Sequence, residues 1–463
     1  MVVSETRNYS EALTGFAEKL SFDDLPPKVV EKLKSLIVDT VGVGISGSAT
    51  DPGRMLSEII KELGGPGEST LFGDGCKVNC VNASFVNAFL ADILDYEDTL
   101  PGFSHPTAVI VSSALAVGEK IGATGKELVA SVAAGYEGAA RIARAVRPTP
   151  DRSTKVAVAY AWHGLGAAIA ASKLMGLSKE GILDSLAYAA SASPLPTWIT
   201  GYGKPFHWVK NNFGEQAAAG TIGALLASRG YLCPRSILES EKGFWLMVGS
   251  DSFDPEEMIR DLGHEYIVMK AGFKPYAACR WIHTTLDALQ SMLGKQDMRV
   301  EDIKEVVVHC SPETIALGFE DHRPQTLVDA EFSVPYTVAM VLLKEQTGLN
   351  WYAEEKLSDP RILAVAAKVR LVGDLESFWT KGSHEIPVRV EVVLKNETHL
   401  ERAERVPRGD PANPVSTEFL KDKFVDSVRQ AGMSLDRAKK LLEFLSSLEN
   451  VTNLSSIGSM LKV

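Results

Sequence analysis

The segment Leu94-Asp-Tyr-Glu-Asp-Thr-Leu-Pro-Gly-Phe-Ser-His-Pro106 crowds Asp95, Glu97, Asp98, Thr99 and His105 into eleven residues. A histidine among carboxylates is a tunable general acid or base, because an imidazole titrates at about 6.5 and neighbouring charge moves it. Pro101 and Gly102 make the segment a loop. Two other readings fit the same residues. Asp95, Asp98 and His105 could ligate a hard cation, although their spacing specifies none, and the segment could be a plain acidic loop with one exposed histidine. A second group stands in Lys274-Pro-Tyr-Ala-Ala-Cys-Arg-Trp-Ile-His283. There Arg280 and Lys274 suit carboxylates, and His283 suits proton transfer. Against that, a histidine beside Ile282 and Leu286 is also what a helix buries in its core. Tyr336, in Ala330-Glu-Phe-Ser-Val-Pro-Tyr336, reads on its own as an aromatic core residue.

These residues need a frame to hold them. The chain has 463 residues, too many for one ordinary core, so two domains are expected. Hydrophobic residues at 45% and charged residues at 23% give an ordinary globular balance. The formal charge of -11, without a run of Lys and Arg, argues against nucleic acid as a partner. An acidic protein that binds an acidic substrate must place its own cations in the site. Met1 to Phe16 has no apolar stretch of the secretory kind, and no run of about 18 apolar residues occurs, so a membrane span is not expected. Cys76, Cys80, Cys233, Cys279 and Cys310 do not make a disulfide framework at this length, which fits a reducing, cytoplasmic setting.

Helix follows helix over the first 270 residues. Val30, Leu33, Ile37 and Val41 recur at helical spacing after Pro26 and Pro27. Thr124 caps a helix from Gly125 to Val146. Further helices are expected near 83–95, 107–121, 165–175, 179–191 and 215–229. Their Ala, Gly and Ser content implies close backbone packing, as in Gly164-Leu-Gly-Ala-Ala-Ile-Ala-Ala-Ser172. That stretch is no phosphate loop, since no buried strand precedes it. After residue 270 the period changes. Val306, Val307 and Val308 form a β-branched run, and Ile386, Val388, Val390, Val392 and Leu394 alternate as a half-buried strand. Helices are expected at 329–344 and 354–368, and again from Ser416 onward. The expected architecture is mainly α. A large helical domain formed by 1–270 and 405–463 is interrupted by a smaller α+β lid domain, 271–404.

The loop motif resembles the MmgE/PrpD family, whose members include 2-methylcitrate dehydratases, cis-aconitate decarboxylases and iminodisuccinate epimerases. The family pattern is an Asp, a Thr four residues on, and a His-Pro shortly after; Asp95, Thr99 and His105-Pro106 match it. The resemblance runs from Leu25-Pro-Pro-Lys-Val-Val through Ala134-Gly-Tyr-Glu-Gly138 to Lys274-Pro-Tyr-x-x-Cys-Arg with its trailing His283, and to Ala330-x-Phe-Ser-x-x-Tyr336. The family lysine corresponds within one residue to Lys210, with Lys204 of Lys-Pro-Phe-His as the alternative further upstream. One position departs. Where decarboxylase-like members carry a second histidine, this chain has Ala157; Tyr160 and His163 lie three and six residues later. That departure argues against the decarboxylase, and the short Asp95–His105 spacing argues against 2-methylcitrate dehydratase itself.

The resemblance implies a lyase or isomerase without cofactor or metal, acting by acid/base catalysis on a small di- or tricarboxylic acid and working as a homodimer. Dehydration, decarboxylation and epimerisation remain open, the last with an amino or imino dicarboxylate such as iminodisuccinate as the alternative substrate. A non-catalytic helical binding protein with a degenerate site is the contrasting class. The implied roles are His105 as main acid/base, Lys210 on a carboxylate, and His283 and Tyr336 in the proton path. Asp95, Thr99, Arg280 and His163 would bind or orient substrate. An iron–sulfur site is disfavoured because Cys76 and Cys80 lack a third partner nearby, and a nicotinamide site because no strand-GxGxxG-helix unit occurs.

Overall fold

Helices start where the sequence places caps. Asn8 accepts from the Glu11 amide at the head of α1 (Tyr9–Lys19), and Pro27 occupies the first turn of α2 (Pro27–Gly47), where its missing N–H would have had no helical partner. Thr50 and Asn79 cap α3 (Asp51–Leu63) and α4 (Cys80–Asp92). After α5 (Pro106–Ile121), Thr124 and Glu127 form a capping box on α6 (Gly125–Ala145). The computed structural model describes residues 8–102, 104–153, 155–156, 161–192, 211–294, 298–376 and 385–463. Within them follow α7 (Pro150–Ser153), α8 (His163–Leu174), α9 (Lys179–Ala192), α10 (Phe213–Ala227) and α11 (Phe244–Met247).

The small residues let these helices close up. A Cβ on Gly220 of α10 would lie 2.5 Å from the Ala167 Cβ and 2.7 Å from the Gly164 carbonyl of α8. Only glycine allows the two backbones to meet there. Helices α4, α5, α6 and α8 pack around the same seam.

From α12 (His283–Leu293) the chain builds a four-stranded sheet in the order β4-β3-β5-β6, with β3 (Ile303–His309), β4 (Val369–Val372), β5 (Val388–Leu394) and β6 (His399–Glu404). The β3–β4 pair is parallel and the other two are antiparallel; Val308 faces both Leu371 and Val390. The alternating valines of β5 are the buried face, and α12 packs on β5 and β6. A two-stranded hairpin, β1 (Ser69–Thr70) with β2 (Lys77–Val78), precedes α4.

Two expected helices are divided. After α13 (Pro312–Ala316), the span 329–344 holds the end of α14 (Leu327–Glu331) and α15 (Val334–Leu342), because Ser333 caps a new helix with Pro335 in its first turn. Asp359-Pro360 likewise separates α16 (Glu354–Leu357) from α17 (Pro360–Ala366). Helices α18 (Thr417–Gln430) and α19 (Leu435–Ser446) return to α2. There the Phe424 ring lies against Gly42, where a Cβ would come within 2.6 Å of it. The fold is mainly helical with small sheets. No helix among the described residues is long and apolar enough to cross a membrane.

Candidate active site

The chain leaves α4 at Asp92 and turns sharply. Asp95 takes a left-handed conformation, φ +45°, and its amide donates to the Asp92 carbonyl at 2.9 Å. The loop closes through paired backbone hydrogen bonds between Leu100 and Ser104 and enters α5 with His105 as the N-cap residue. Thr99 pairs edge to edge with Gly272 through both main-chain hydrogen bonds. A third segment joins at Gly409, φ +89°, where a Cβ would sit 1.9 Å from the Phe273 carbonyl. Three stretches distant in sequence are thereby joined through their backbones.

Asp95, Glu97, Asp98, Thr99 and His105 are all buried, and buried polar groups demand partners. Asp98 accepts from the Thr107 amide at 3.2 Å and from its hydroxyl at 2.5 Å, satisfying the open N-terminus of α5. These hydrogen bonds favour the carboxylate, but burial outweighs them and lifts its pKa to about 7. The Asp98 main-chain carbonyl lies 2.7 Å from His105 Nδ1. A carbonyl only accepts, so Nδ1 carries the proton and Nε2 holds the lone pair of the neutral ring. His105 Nε2 is 3.9 Å from Asp95 Oδ1, and Nδ1 is 4.0 Å from Glu97 Oε1. Lys274, fully buried, places its ammonium 2.5 Å from Asp95 and 3.9 Å from Glu97.

The ligand atoms of Asp95, Glu97 and His105 lie within 4.8 Å of one another, a spacing that suits a metal ion. The Lys274 ammonium already supplies a cation to two of the three, so the carboxylate charge has a protein partner. The arrangement suits proton transfer by an imidazole beside a fixed cation and two carboxylates.

The other expected site residues divide. His283 is near this centre, since the charges of Lys274 and Asp95 both bear on it. Its Nε2 lies 3.0 Å from the Ala278 carbonyl, and its Nδ1 faces Arg280 Nη1 at 3.4 Å. Burial, reinforced by the Arg280 charge, holds it well below the ordinary imidazole range. A neutral ring engaged at both nitrogens positions Arg280 more readily than it shuttles protons. Arg280 is itself engaged: Nη1 donates to the Arg408 carbonyl at 2.9 Å and Nη2 to Pro407 at 3.3 Å, with Asp410 at 4.0 Å. Tyr336 gives its hydroxyl to the Trp351 carbonyl at 2.6 Å and stacks on Tyr352. It is Tyr352 whose hydroxyl reaches the Ala277 carbonyl beside the site. His163 opens α8 between Trp162 and Phe213, with ring centroids at 4.2 and 4.8 Å. Phe213 shares an apolar cluster with Ala108, one turn into α5. Lys210, Lys204, Ala157 and Tyr160 lie outside the described residues. Asn211, just after Lys210, donates to Asp92 Oδ1 at 2.8 Å.

Sequence reasoning undervalued Lys274, Asp98 and Tyr352. Lys274 carried a signal, since it heads the same motif as Arg280. Tyr352 carried none, because nothing in Asn350-Trp-Tyr-Ala353 marks a site.

A family model described as the MmgE/PrpD N-terminal domain matches residues 11–256, and one described as the MmgE/PrpD C-terminal domain matches 276–449. The chain is similar to a cis-aconitate decarboxylase of Aspergillus terreus, 23% identical with 96% of this chain and 94% of that protein covered. It is similar to those of Homo sapiens, 24% identical with 100% and 95% covered, and Mus musculus, 22% identical with 98% and 94% covered.

Proposed function

The chain belongs to the MmgE/PrpD family, and from that membership we propose that it is a lyase acting on a small tricarboxylic acid, with decarboxylation of cis-aconitate the first activity to test. The observation that carries this reading is His105, whose Nδ1 is held on the Asp98 carbonyl at 2.7 Å while Asp95, itself paired with Lys274, lies 3.9 Å from its Nε2. The names of full-length relatives support the substrate class.

In decarboxylation the carbon–carbon bond to the departing carboxylate breaks. Its electron pair moves into the adjoining carbon framework beside a second carboxylate, and one proton must return to carbon. His105, neutral at rest, first takes a solvent proton at Nε2. The resulting imidazolium Nε2–H is the donor in this reading, which returns the ring to its neutral Nδ1–H form. In this reading Lys210 balances a carboxylate that stays, while Lys274 holds Asp95 and Glu97 in place. Asp95 and Thr99 fix the loop, and Arg280, beside His283, fixes the 407–410 segment that pairs with Phe273. Dehydration asks the same histidine to take a proton beside a carboxylate while hydroxide leaves. Neither route calls on a metal or organic cofactor.

In the same reading, residues 1–270 with 405–463 form one body and 271–404 a lid whose closure shuts water out. The protein works in the cytoplasm as a homodimer; light scattering that gave a monomer at micromolar concentration would remove the dimer. The test of function is an NMR screen of the purified protein, without added metal, against cis-aconitate, citrate, 2-methylcitrate and iminodisuccinate. Loss of carbon dioxide from cis-aconitate with uptake of a solvent proton is expected. Inversion of iminodisuccinate would make the chain an epimerase. No turnover and no carbon-bound deuterium exchange of any acid would leave a binding protein.

A further inference from the structure

We propose that Lys423 of α18, paired with Asp39 of α2, is a positioning residue for the loop that carries His105. Its kinetic consequence rests on the reading of His105 as the proton-transfer group; its geometry does not. The Lys423 ammonium lies 2.7 Å from Asp39 Oδ1 and donates to the Tyr96 carbonyl at 2.7 Å. It also sits 4.0 Å over the centre of the Tyr96 ring. Tyr96 stands between the two working parts of the loop. One residue before it is Asp95, on which Lys274 is seated, and two after it is Asp98, whose carbonyl orients His105. The Tyr96 hydroxyl faces the Pro275 carbonyl at 3.4 Å, next to Lys274. One ammonium therefore grips Tyr96 by its backbone and its ring at the junction of the loop and the 272–276 segment.

Stability alone does not account for these charges. Lys423 and Asp39 are both buried, and burial works against both, raising the Asp39 pKa and lowering that of Lys423. An apolar pair of the same volume is commonly as stable or more so in such a place. Phe424, the next residue, already provides the packing of α18 on α2. An apolar side chain would lack a donor for the Tyr96 carbonyl, which sits in an irregular turn outside any sheet ladder. Asp39 keeps the lysine charged in that position.

The test is the neutral double variant Asp39→Asn with Lys423→Met, which leaves no buried charge unpaired. Two readouts are taken: the ring-nitrogen NMR shifts of 15N-histidine-labelled protein, and kcat and KM on cis-aconitate. Wild-type His105 is expected to show the protonated-Nδ1 form. In the folded double variant, a mixture of tautomers is expected, with kcat down about tenfold or more and KM little changed, the mark of lost orientation. A folded double variant with wild-type His105 shifts overturns the proposal. Should it fail to fold, Lys423→Arg keeps the ion pair but cannot place its donor at the same point; altered His105 shifts then support the proposal, and unaltered shifts overturn it. The nitrogen readout needs no substrate, so altered shifts in a protein inert toward cis-aconitate keep this proposal and remove the proposed function.

Discussion

His105 Nδ1 lies 2.7 Å from the main-chain carbonyl of Asp98, so the loop backbone and not a carboxylate sets the tautomer of the site histidine. The Asp98 side chain is thereby left to a second task, capping α5 through Thr107. That task carries a cost that pH exposes. Burial lifts Asp98 to about 7 in the folded chain, against about 3.9 when unfolded. Between those values the folded protein holds a proton that the unfolded chain has released. This group therefore favours folding most at the acid end of the window, and its contribution falls as pH rises toward 7. Asp98→Asn should remove that slope. Thermal midpoints of wild type and variant, taken from about pH 5 to about pH 8, should converge at low pH and separate at high pH in favour of the variant. Parallel curves would contradict the assignment.

Lys274 brings its ammonium within 4.0 Å of both Asp95 and Glu97. Lys274→Met should strand two buried carboxylates and cost about 3–5 kcal/mol, the usual scale for breaking a buried pair from one side. Urea unfolding measures this. Asp95→Asn added to Lys274→Met should recover part of the loss. A single variant as stable as wild type would show that the pair is not formed.

Because Lys274 supplies the charge a metal ion would bring, chelation should leave turnover unchanged. Activity abolished by a chelator and restored by one divalent ion would assign Asp95, Glu97 and His105 to that ion.

Gly220→Ala forces a methyl into a gap that a Cβ would fill at 2.5 Å from Ala167 and 2.7 Å from the Gly164 carbonyl. With backbone on the far side the helices must part, so a loss of about 1–3 kcal/mol is expected. Chemical denaturation of the single variant checks it, and an unchanged midpoint would mean that α8 and α10 do not meet there.

Helices with caps and strict periods are legible in the amino-acid sequence: Thr124 heads α6, and the alternation expected from Ile386 is β5 from Val388 onward. Boundaries inside apolar runs are not. The 329–344 run reads as one helix because its apolar spacing never breaks, whereas the division comes from Ser333 and Pro335. Strands β4 and β6 escape a reading by pattern, one for having four residues and the other because His-Leu-Glu-Arg-Ala-Glu presents charge on an edge with little burial. At the site, residue types are readable and directions are not. Nothing in the chain's order of residues signals that the Tyr336 hydroxyl goes to Trp351 or that Arg280 spends its donors on Arg408 and Pro407. Nor does it join Lys423 to Tyr96 across 327 residues.

The measurement that tests the account most directly is turnover of cis-aconitate by His105→Ala beside wild type, each shown to be folded by its thermal midpoint. If His105 delivers the proton, wild type converts the acid and the variant loses about a hundredfold or more in kcat, the scale of a general acid/base. A folded His105→Ala that turns over cis-aconitate at the wild-type rate would contradict the mechanism.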